Sequence, residues 1–326
     1  MKNIIAVDIG GTNSRFAHFT VEDSGSLSCV DRVELKTANA SSLDDLIDRA
    51  LGLKSIPAGV SWDIVVLAVP GAVKENTCAS LANVSWDVDV SGLRARLAGT
   101  RVFLINDFVA QAFACPLAER LETQAVQAGV PEPRAAMAVI GAGTGLGHCA
   151  LLATDGGGFL PLPSEAGHAA FPFYGKTETA YRDFLMERTG AEYPYGDIVV
   201  SGPGLTHLHA FLTGREMSPK DIVAEIPPES ETTVLFSRFY ARACRNYALT
   251  VLALGGLFIA GGVAMKNPFL VVNDHFRKEF TESRHYGPML RQIPVSLIVS
   301  EDSGLWGAAH YGMIKGKSGQ RTGNRS

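Results

Sequence analysis

Apolar runs and alternations divide the chain into short strands and amphipathic helices. Ile4 to Asp8 is an apolar run that ends at the turn Gly10-Gly11-Thr12-Asn13. From Ser14 to Thr20, Phe16 then alternates with polar neighbours, so the pattern predicts strand, tight turn, strand. Leu43, Leu46, Ile47, Ala50 and Leu51 recur at helical spacing and predict an amphipathic helix over Ser42 to Leu53. Asp63 to Val69 and Arg101 to Ile105 are nearly continuous apolar runs, one ending at Pro70-Gly71 and the other at Asn106-Asp107. Such runs suit strands buried on both faces in an α/β sheet. A helix is expected over Asp107 to Leu121, kinked or divided at Pro116.

The second half repeats the opening design. Met137 to Ile140 leads into Gly141-Ala-Gly-Thr-Gly-Leu-Gly147 and then into the apolar Cys149 to Ala153. Aligning Val7 with Val139 sets Gly11-Thr12 over Gly143-Thr144, so a duplicated strand-turn-strand unit, one copy per lobe, is expected. Ser218-Pro219 carries the cap-then-proline signature of a helix start. A long helix follows over Thr232 to Leu254, then a buried strand over Leu257 to Ala260. Tyr247 to Met265 is uncharged and long enough to span a bilayer, but Gly255-Gly256 and Gly261-Gly262 interrupt it and Arg242, Arg245 and Lys266 crowd its ends. It reads as a buried helix running into a buried strand.

Composition narrows the function classes. The chain has 326 residues, enough for two lobes, and 46% of them are hydrophobic against 19% charged, which suits packed cores and excludes intrinsic disorder. Its 29 basic and 33 acidic residues form no long runs, which argues against a nucleic-acid groove or an anionic-membrane binder. Five scattered cysteines without a C-x-x-C pair point to a reduced, cytoplasmic protein without a zinc site, and Met1-Lys2-Asn3 runs straight into a strand, so no signal peptide is expected. The 34 glycines cluster where something approaches backbone closely.

Neither glycine loop fits G-x-G-x-x-G or G-x-x-x-x-G-K-[ST]. Each offers backbone N–H groups (Gly10, Gly11, Gly143, Gly145) and a threonine hydroxyl (Thr12, Thr144), a cradle for phosphate oxygens. One such loop alone is better explained as a hairpin turn; a repeated Gly-Thr pair after two buried strands reverses that preference in favour of phosphate. Asp8 could hold Mg²⁺, directly or through water, or could cap its turn. Asp107 closes a strand and opens a helix, where α/β proteins bind ligands. The helix dipole would keep it ionised at neutral pH, so it could accept a proton from a substrate hydroxyl; its plain role is a helix N-cap. Glu165 and His168, three apart beside Gly167, could bind vicinal hydroxyls, bind a metal or form a surface turn, with metal the weakest option because no further ligand stands near in sequence.

Taken in order, Asp8-Ile-Gly-Gly-Thr-Asn13, Ile105-Asn106-Asp107-Phe108, Gly141 to Gly147, Glu165-Ala-Gly-His168, Ser201-Gly-Pro-Gly-Leu205, Gly255 to Gly262 and Gly304-Leu-Trp-Gly307 resemble the bacterial glucokinases. The match runs from about residue 4 to residue 310, and the cysteine-rich zinc motif of the related ROK group is absent. The resemblance implies an α/β, two-lobed actin-like ATPase (ribonuclease H-like) fold with duplicated mixed-sheet domains and an interlobe cleft. It implies ATP- and Mg²⁺-dependent phosphorylation of glucose at the 6-hydroxyl, the entry step of glycolysis, in a cytoplasmic homodimer that binds neither nucleic acid nor membrane. Asp8, Ile9, Gly10, Gly11 and Thr12 would form the first phosphate loop, with Asp8 on Mg²⁺ through water. Gly143, Thr144 and Gly145 would form the second, and Gly255 to Gly262, with Gly261 and Gly262, the adenosine loop. Asn106 and Asp107 would hold the 4- and 6-hydroxyls, Asp107 as catalytic base, and Glu165 and His168 hydroxyls nearer the anomeric end.

Two departures from the family pattern stand out, the first bearing on specificity and the second only on loop packing. The family's further sugar-binding glutamate, four residues before Ser201-Gly-Pro-Gly, is here Asp197, one methylene shorter, and Ala166 stands where a glycine is usual. A kinase for mannose, fructose or an amino sugar, or a non-catalytic sugar sensor on the same fold, are the rival readings. The expected division is residues 1–108 with 302–317, residues 109–301, and a disordered tail over 318–326.

Overall fold

The computed structural model describes all residues except 52, 57, 58, 81–83, 85 and 319–326. The tail expected to be disordered therefore lies, from residue 319 on, outside the described residues. The chain forms two compact units, Met1–Glu119 with the segment from Glu301 on, and Arg120–Ser300.

In the first unit, β1 (Lys2–Ile9), β2 (Asn13–Val21) and β3 (Leu27–Lys36) form an antiparallel meander. The predicted helix is α1 (Leu43–Leu51), whose Leu43, Leu46, Ile47 and Ala50 are buried as the spacing requires. β4 (Ile64–Val69) is buried throughout and pairs parallel with β1. A small ribbon of β5 (Cys78–Ala79) and β6 (Val88–Asp89) and a short α2 (Ser91–Arg96) lead to β7 (Arg101–Asn106), parallel to β4. The sheet order is β3-β2-β1-β4-β7, so the C-terminal ends of β1, β4 and β7 share one edge. α3 (Asp107–Ala114) follows and gives way to a 3₁₀ turn over Cys115–Arg120, because Pro116 cannot supply the N–H that a continued α-helix needs.

The second unit opens with β8 (Thr123–Gln127) and then repeats the first sheet's core: β9 (Met137–Ala142) and β10 (Leu146–Ala153) as a hairpin, and β11 (Phe159–Ser164) antiparallel outside it. Helices α4 (Gly175–Thr189), α5 (Gly196–Val199), α6 (Gly202–Thr213) and α7 (Pro219–Glu225) follow, then the long α8 (Glu231–Val251). Ser201, Ser218 and Ser230 each cap a helix by accepting a backbone N–H. The uncharged stretch divides as its glycines suggested: α8 stops at a left-handed Leu252, and β12 (Gly256–Ala260) enters the sheet parallel to β9. Among the described residues no helix is long and apolar enough to cross a membrane. α9 (Gly262–Lys266), α10 (Asp274–Thr281) and α11 (Gly287–Leu290) lead to β13 (Val295–Ile298), and the order is β11-β10-β9-β12-β13-β8. Each sheet thus has a hairpin whose first strand is followed laterally by two parallel strands, which is the duplication expected from the two Gly-Thr turns.

The chain then returns to the first unit as α12 (Ser303–Ser318), which lies on α3, β1 and β4. A methyl at Gly307 would overlap the Ala110 carbonyl, and one at Gly312 would reach within 2.9 Å of Val66. These glycines let α12 seat directly on helix and sheet. His310 Nδ1 lies 2.7 Å from the Phe113 carbonyl. The seam with α12 is why α3 belongs to the first unit. The sequence division after residue 108 separated it, whereas the chain crosses between units at Glu119–Arg120 and Ser300–Glu301.

Candidate active site

In the first unit the candidate residues gather where β1 and β7 end. The β1–β2 turn closes with Gly10 N–H donating to the Asn13 carbonyl at 2.9 Å, and a Cβ at Gly10 would sit 2.9 Å from that same oxygen. The Gly10 and Thr12 carbonyls face Thr37, which donates to them from Oγ1 at 2.7 Å and from N at 3.0 Å. With the carbonyls engaged there, the N–H groups of Gly11 and Thr12 have no partner among the described residues. This revises the expected donor set: Gly10 N–H belongs to the turn, and Gly11 and Thr12 are the open donors.

Asn106, not Asp107, caps α3. Its Oδ1 accepts from Phe108 N at 2.9 Å and Val109 N at 3.4 Å, while its Nδ2 donates to the Gly71 carbonyl at 3.0 Å and keeps a second hydrogen. Gly71 has φ +87°, the left-handed conformation that the turn after β4 needs and that a side chain would resist. Relieved of capping, Asp107 occupies the first helical position, with Oδ1 accepting from Phe108 N at 2.9 Å. Its carboxyl is pushed up to about 7 by burial and by the nearby Asp8, against the pull of the α3 N–H groups and Asn106. The expectation that the helix dipole alone would keep Asp107 ionised at neutral pH therefore fails, since desolvation and a like charge outweigh it. Burial also raises Asp8, with Arg15 opposing. α12 begins against this carboxylate: a Cβ at Gly304 would be 3.2 Å from Asp8 Oδ2 and 3.4 Å from Gln111 Nε2, and Ser303 donates to Gln111 Oε1 at 2.9 Å. Gln111, one helical turn after Asp107, was missed in the sequence, although the i, i+4 spacing could have pointed to it.

The second unit holds the other candidates. In its turn, Gly143 N–H donates to the Gly145 carbonyl at 2.8 Å, so Thr144 and Gly145 present the N–H groups without a partner among the described residues, again shifting the open donors from the first glycine. The Gly143 carbonyl accepts from Gly202 N at 2.9 Å, which ties the Ser201-Gly-Pro-Gly turn to this loop. At the end of β12, Gly261 (φ +86°) approaches Ala142 so closely that a Cβ would be 2.5 Å from its carbonyl oxygen. The buried Tyr240 hydroxyl accepts from Ala142 N at 3.0 Å and donates to the Ala260 carbonyl at 3.4 Å, holding both strand ends; nothing in the sequence distinguished it from core. Gly255 and Gly256 do not join this place. They lie at the other end of β12, against Ala135, Ala136 and Pro294, so the expected single loop over Gly255 to Gly262 is two turns separated by a strand.

Glu165 and His168 frame a 3₁₀ turn over Ala166–His168, with Glu165 exposed and its carbonyl accepting from His168 N at 2.9 Å. The His168 ring stacks on Tyr195 (5.4 Å, 27°), the Tyr193 hydroxyl donates to the His168 carbonyl at 3.1 Å, and His168 Nε2 is 3.9 Å from Asp197 Oδ2. Asp197 Oδ1 accepts from Leu146 N at 2.9 Å, just after the Gly143–Gly145 turn. Among the described residues no group of three or more His, Cys, Asp or Glu side chains could hold a metal ion.

The model of a family described as glucokinase matches residues 5–314. A glucokinase of Nostoc punctiforme is 29% identical over 340 residues, covering 95% of this chain and 98% of that one. The crystal structure of a glucokinase from an Antarctic psychrotroph superposes with a TM-score of 0.84 at 27% identity, over 96% of this chain and 99% of that one. The same fold is shared by a Balamuthia mandrillaris glucokinase in complex with glucose (TM-score 0.76, 21% identity, 96% and 94% covered). It is also shared by a ROK family glucokinase from Streptomyces griseus in complex with glucose and AMPPNP (TM-score 0.58, 19% identity, 95% and 99% covered).

Proposed function

The chain belongs to the glucokinase family, and from that premise we propose that it transfers the γ-phosphoryl group of ATP to the 6-hydroxyl of glucose, giving glucose 6-phosphate and ADP. The observation that carries this reading is Asp107, freed from capping by Asn106 and set at the head of α3 directly after a parallel strand, with its carboxyl pushed up to about 7. A carboxylate of that basicity suits a general base at neutral pH. As the sugar 6-oxygen bonds to the γ-phosphorus, its proton passes to Asp107, and the bond from phosphorus to the bridging oxygen breaks with its electron pair leaving on ADP. Asn106 retains one amide hydrogen for the neighbouring hydroxyl, and Glu165 and His168 take hydroxyls nearer the anomeric carbon.

The residues present fit ATP and Mg²⁺. The unpartnered N–H groups of Gly11, Thr12, Thr144 and Gly145, with two threonine hydroxyls, suit phosphate oxygens. Gly261 and Gly262 would border the adenosine. Asp8 is a single hard oxygen ligand, which suits a cation that keeps its waters and shares phosphate oxygens. When bound, Mg²⁺ neutralises phosphate charge. The same reading makes the protein a cytoplasmic homodimer at the entry to glycolysis.

The rival reading, a kinase for another hexose, draws on one observation: Asp197 is short and already engaged by Leu146. The test is ADP release from ATP and Mg²⁺ with glucose, mannose, fructose and glucosamine in turn, with the molar mass of the protein measured by light scattering. Glucose is expected to give the highest kcat/KM. Preference for another hexose would replace the substrate, and no ADP release with any sugar would leave the sensor reading.

A further inference from the structure

The resemblance casts Asp197 as a sugar ligand, but its surroundings in the second unit describe a different task. Asp197 lies in the first turn of the four-residue α5, and its Oδ1 accepts the Leu146 N–H at 2.9 Å. Leu146 is the first residue after the Gly143–Gly145 turn. Two glycines make room for the carboxylate: a Cβ at Gly145 would be 2.5 Å from Oδ2, and a Cβ at Gly167 would overlap Oδ1 and the Leu146 carbonyl. Gly167 belongs to the Glu165–His168 turn, so one carboxyl group is enclosed between that turn and the glycine loop. Gly196 reinforces the wedge, since its N–H donates to the Ala169 carbonyl at 3.3 Å and a Cβ there would be 2.9 Å from the Gly167 carbonyl. His168 Nε2 stands 3.9 Å from Oδ2, beyond a direct hydrogen bond.

We propose that Asp197 is a positioning residue that locks the Gly143–Gly145 loop to the Glu165–His168 turn, so that it governs nucleotide binding as well as sugar binding. The inference rests on the assignment of that loop to ATP phosphates. A charge-assisted hydrogen bond to a backbone N–H, in a space that only two glycines leave open, sets the direction of the N–H groups just before it. Losing the carboxylate frees Leu146 N–H and opens a gap beside both turns. An asparagine keeps an oxygen for Leu146 and fills the same space, so positioning survives while the charge is lost.

The experiment measures the Kd of ADP by calorimetry without sugar, together with KM for glucose and for ATP, in the wild type, Asp197→Ala and Asp197→Asn. Asp197→Ala is expected to raise the ADP Kd by about tenfold, within the range a hydrogen bond to a charged group contributes, and to raise both KM values. Asp197→Asn is expected to return all three to within about threefold of wild type. An unchanged ADP Kd in Asp197→Ala, or a glucose KM in Asp197→Asn as high as in Asp197→Ala, overturns the proposal and leaves Asp197 a sugar ligand alone. If Asp197→Ala does not fold, Asp197→Asn decides by itself: glucose KM raised more than tenfold with the ADP Kd unchanged overturns the proposal. Failure of the wild type to phosphorylate any hexose would sink the functional reading while leaving the ADP measurement interpretable.

Discussion

Added to burial, the carboxyl of Asp8, at the end of β1, raises the proton affinity of Asp107 at the head of α3. With Asp107 as base, kcat/KM is expected to fall as pH drops through about 7, because protonation removes the acceptor. Removing the neighbouring charge in Asp8→Asn is expected to move the Asp107 midpoint down. NMR titration of the Asp107 carboxyl in the free protein checks both points; a wild-type midpoint below about 5, near the ordinary carboxylate range, would sink the assignment.

The same raised affinity is a cost to folding. In the unfolded chain Asp107 titrates near 3.8 and in the folded protein near 7, so the folded state binds more protons between those values. The contribution is full below about 4 and is lost as pH rises to 7. Asp107→Asn is expected to stabilise the ligand-free protein by at most about 4 kcal/mol at pH 8, a margin that vanishes toward pH 4, while kcat falls at least a hundredfold, roughly the low end of a general base's contribution. Urea unfolding at the two pH values and steady-state kinetics test this. A variant with near-normal turnover would remove Asp107 from the chemistry.

His148 works in the opposite sense. It is buried, with Nδ1–H directed at the Leu146 carbonyl at 2.9 Å, and burial lowers it to about 4. Its unfolded value is 6.5, so the unfolded state binds more protons between the two, and stability present above 6.5 is lost as pH falls toward 4. The loss is at most about 3 kcal/mol. His148→Asn keeps a donor and does not titrate, so its unfolding midpoint should depend less on pH between 6.5 and 4.5 than that of the wild type; equal dependence would contradict the role.

Arg242 is fully buried among Phe171, Tyr174 and Phe239 and bonds to Glu178 and Glu279, with contacts of 2.6 and 2.8 Å. It also donates to the Pro172 carbonyl at 2.9 Å, and Glu178 accepts the Tyr174 N–H at 2.7 Å. Arg242→Met would leave two buried carboxylates short of a partner, at a cost of about 3–5 kcal/mol. Glu279 also pairs with the buried Arg245 at 3.4 Å, so replacing Arg242, Glu178 and Glu279 together with apolar residues strands that cation and should cost more than the single change; equilibrium unfolding of the two variants makes the comparison.

Much of this protein was written in local chemistry. The apolar run before Asp8, the repeated Gly-Thr turn, Pro116 and the serine caps specify elements through neighbours a few residues away, and each formed close to where the pattern put it. The ordered motifs also identify the family, because glycines at close backbone approaches cannot be replaced without overlap, as at Gly261 against Ala142 and Gly307 against Ala110. What tertiary structure alone decided depends on atoms distant in sequence. Asn106 took the cap and released Asp107, whose proton affinity is set by burial and by Asp8, 99 positions away. Asp197 met Leu146, 51 residues earlier, through space that Gly145 and Gly167 leave empty. Hydrogen-bond allocation and desolvation are properties of the packed interior, and no local pattern encodes them.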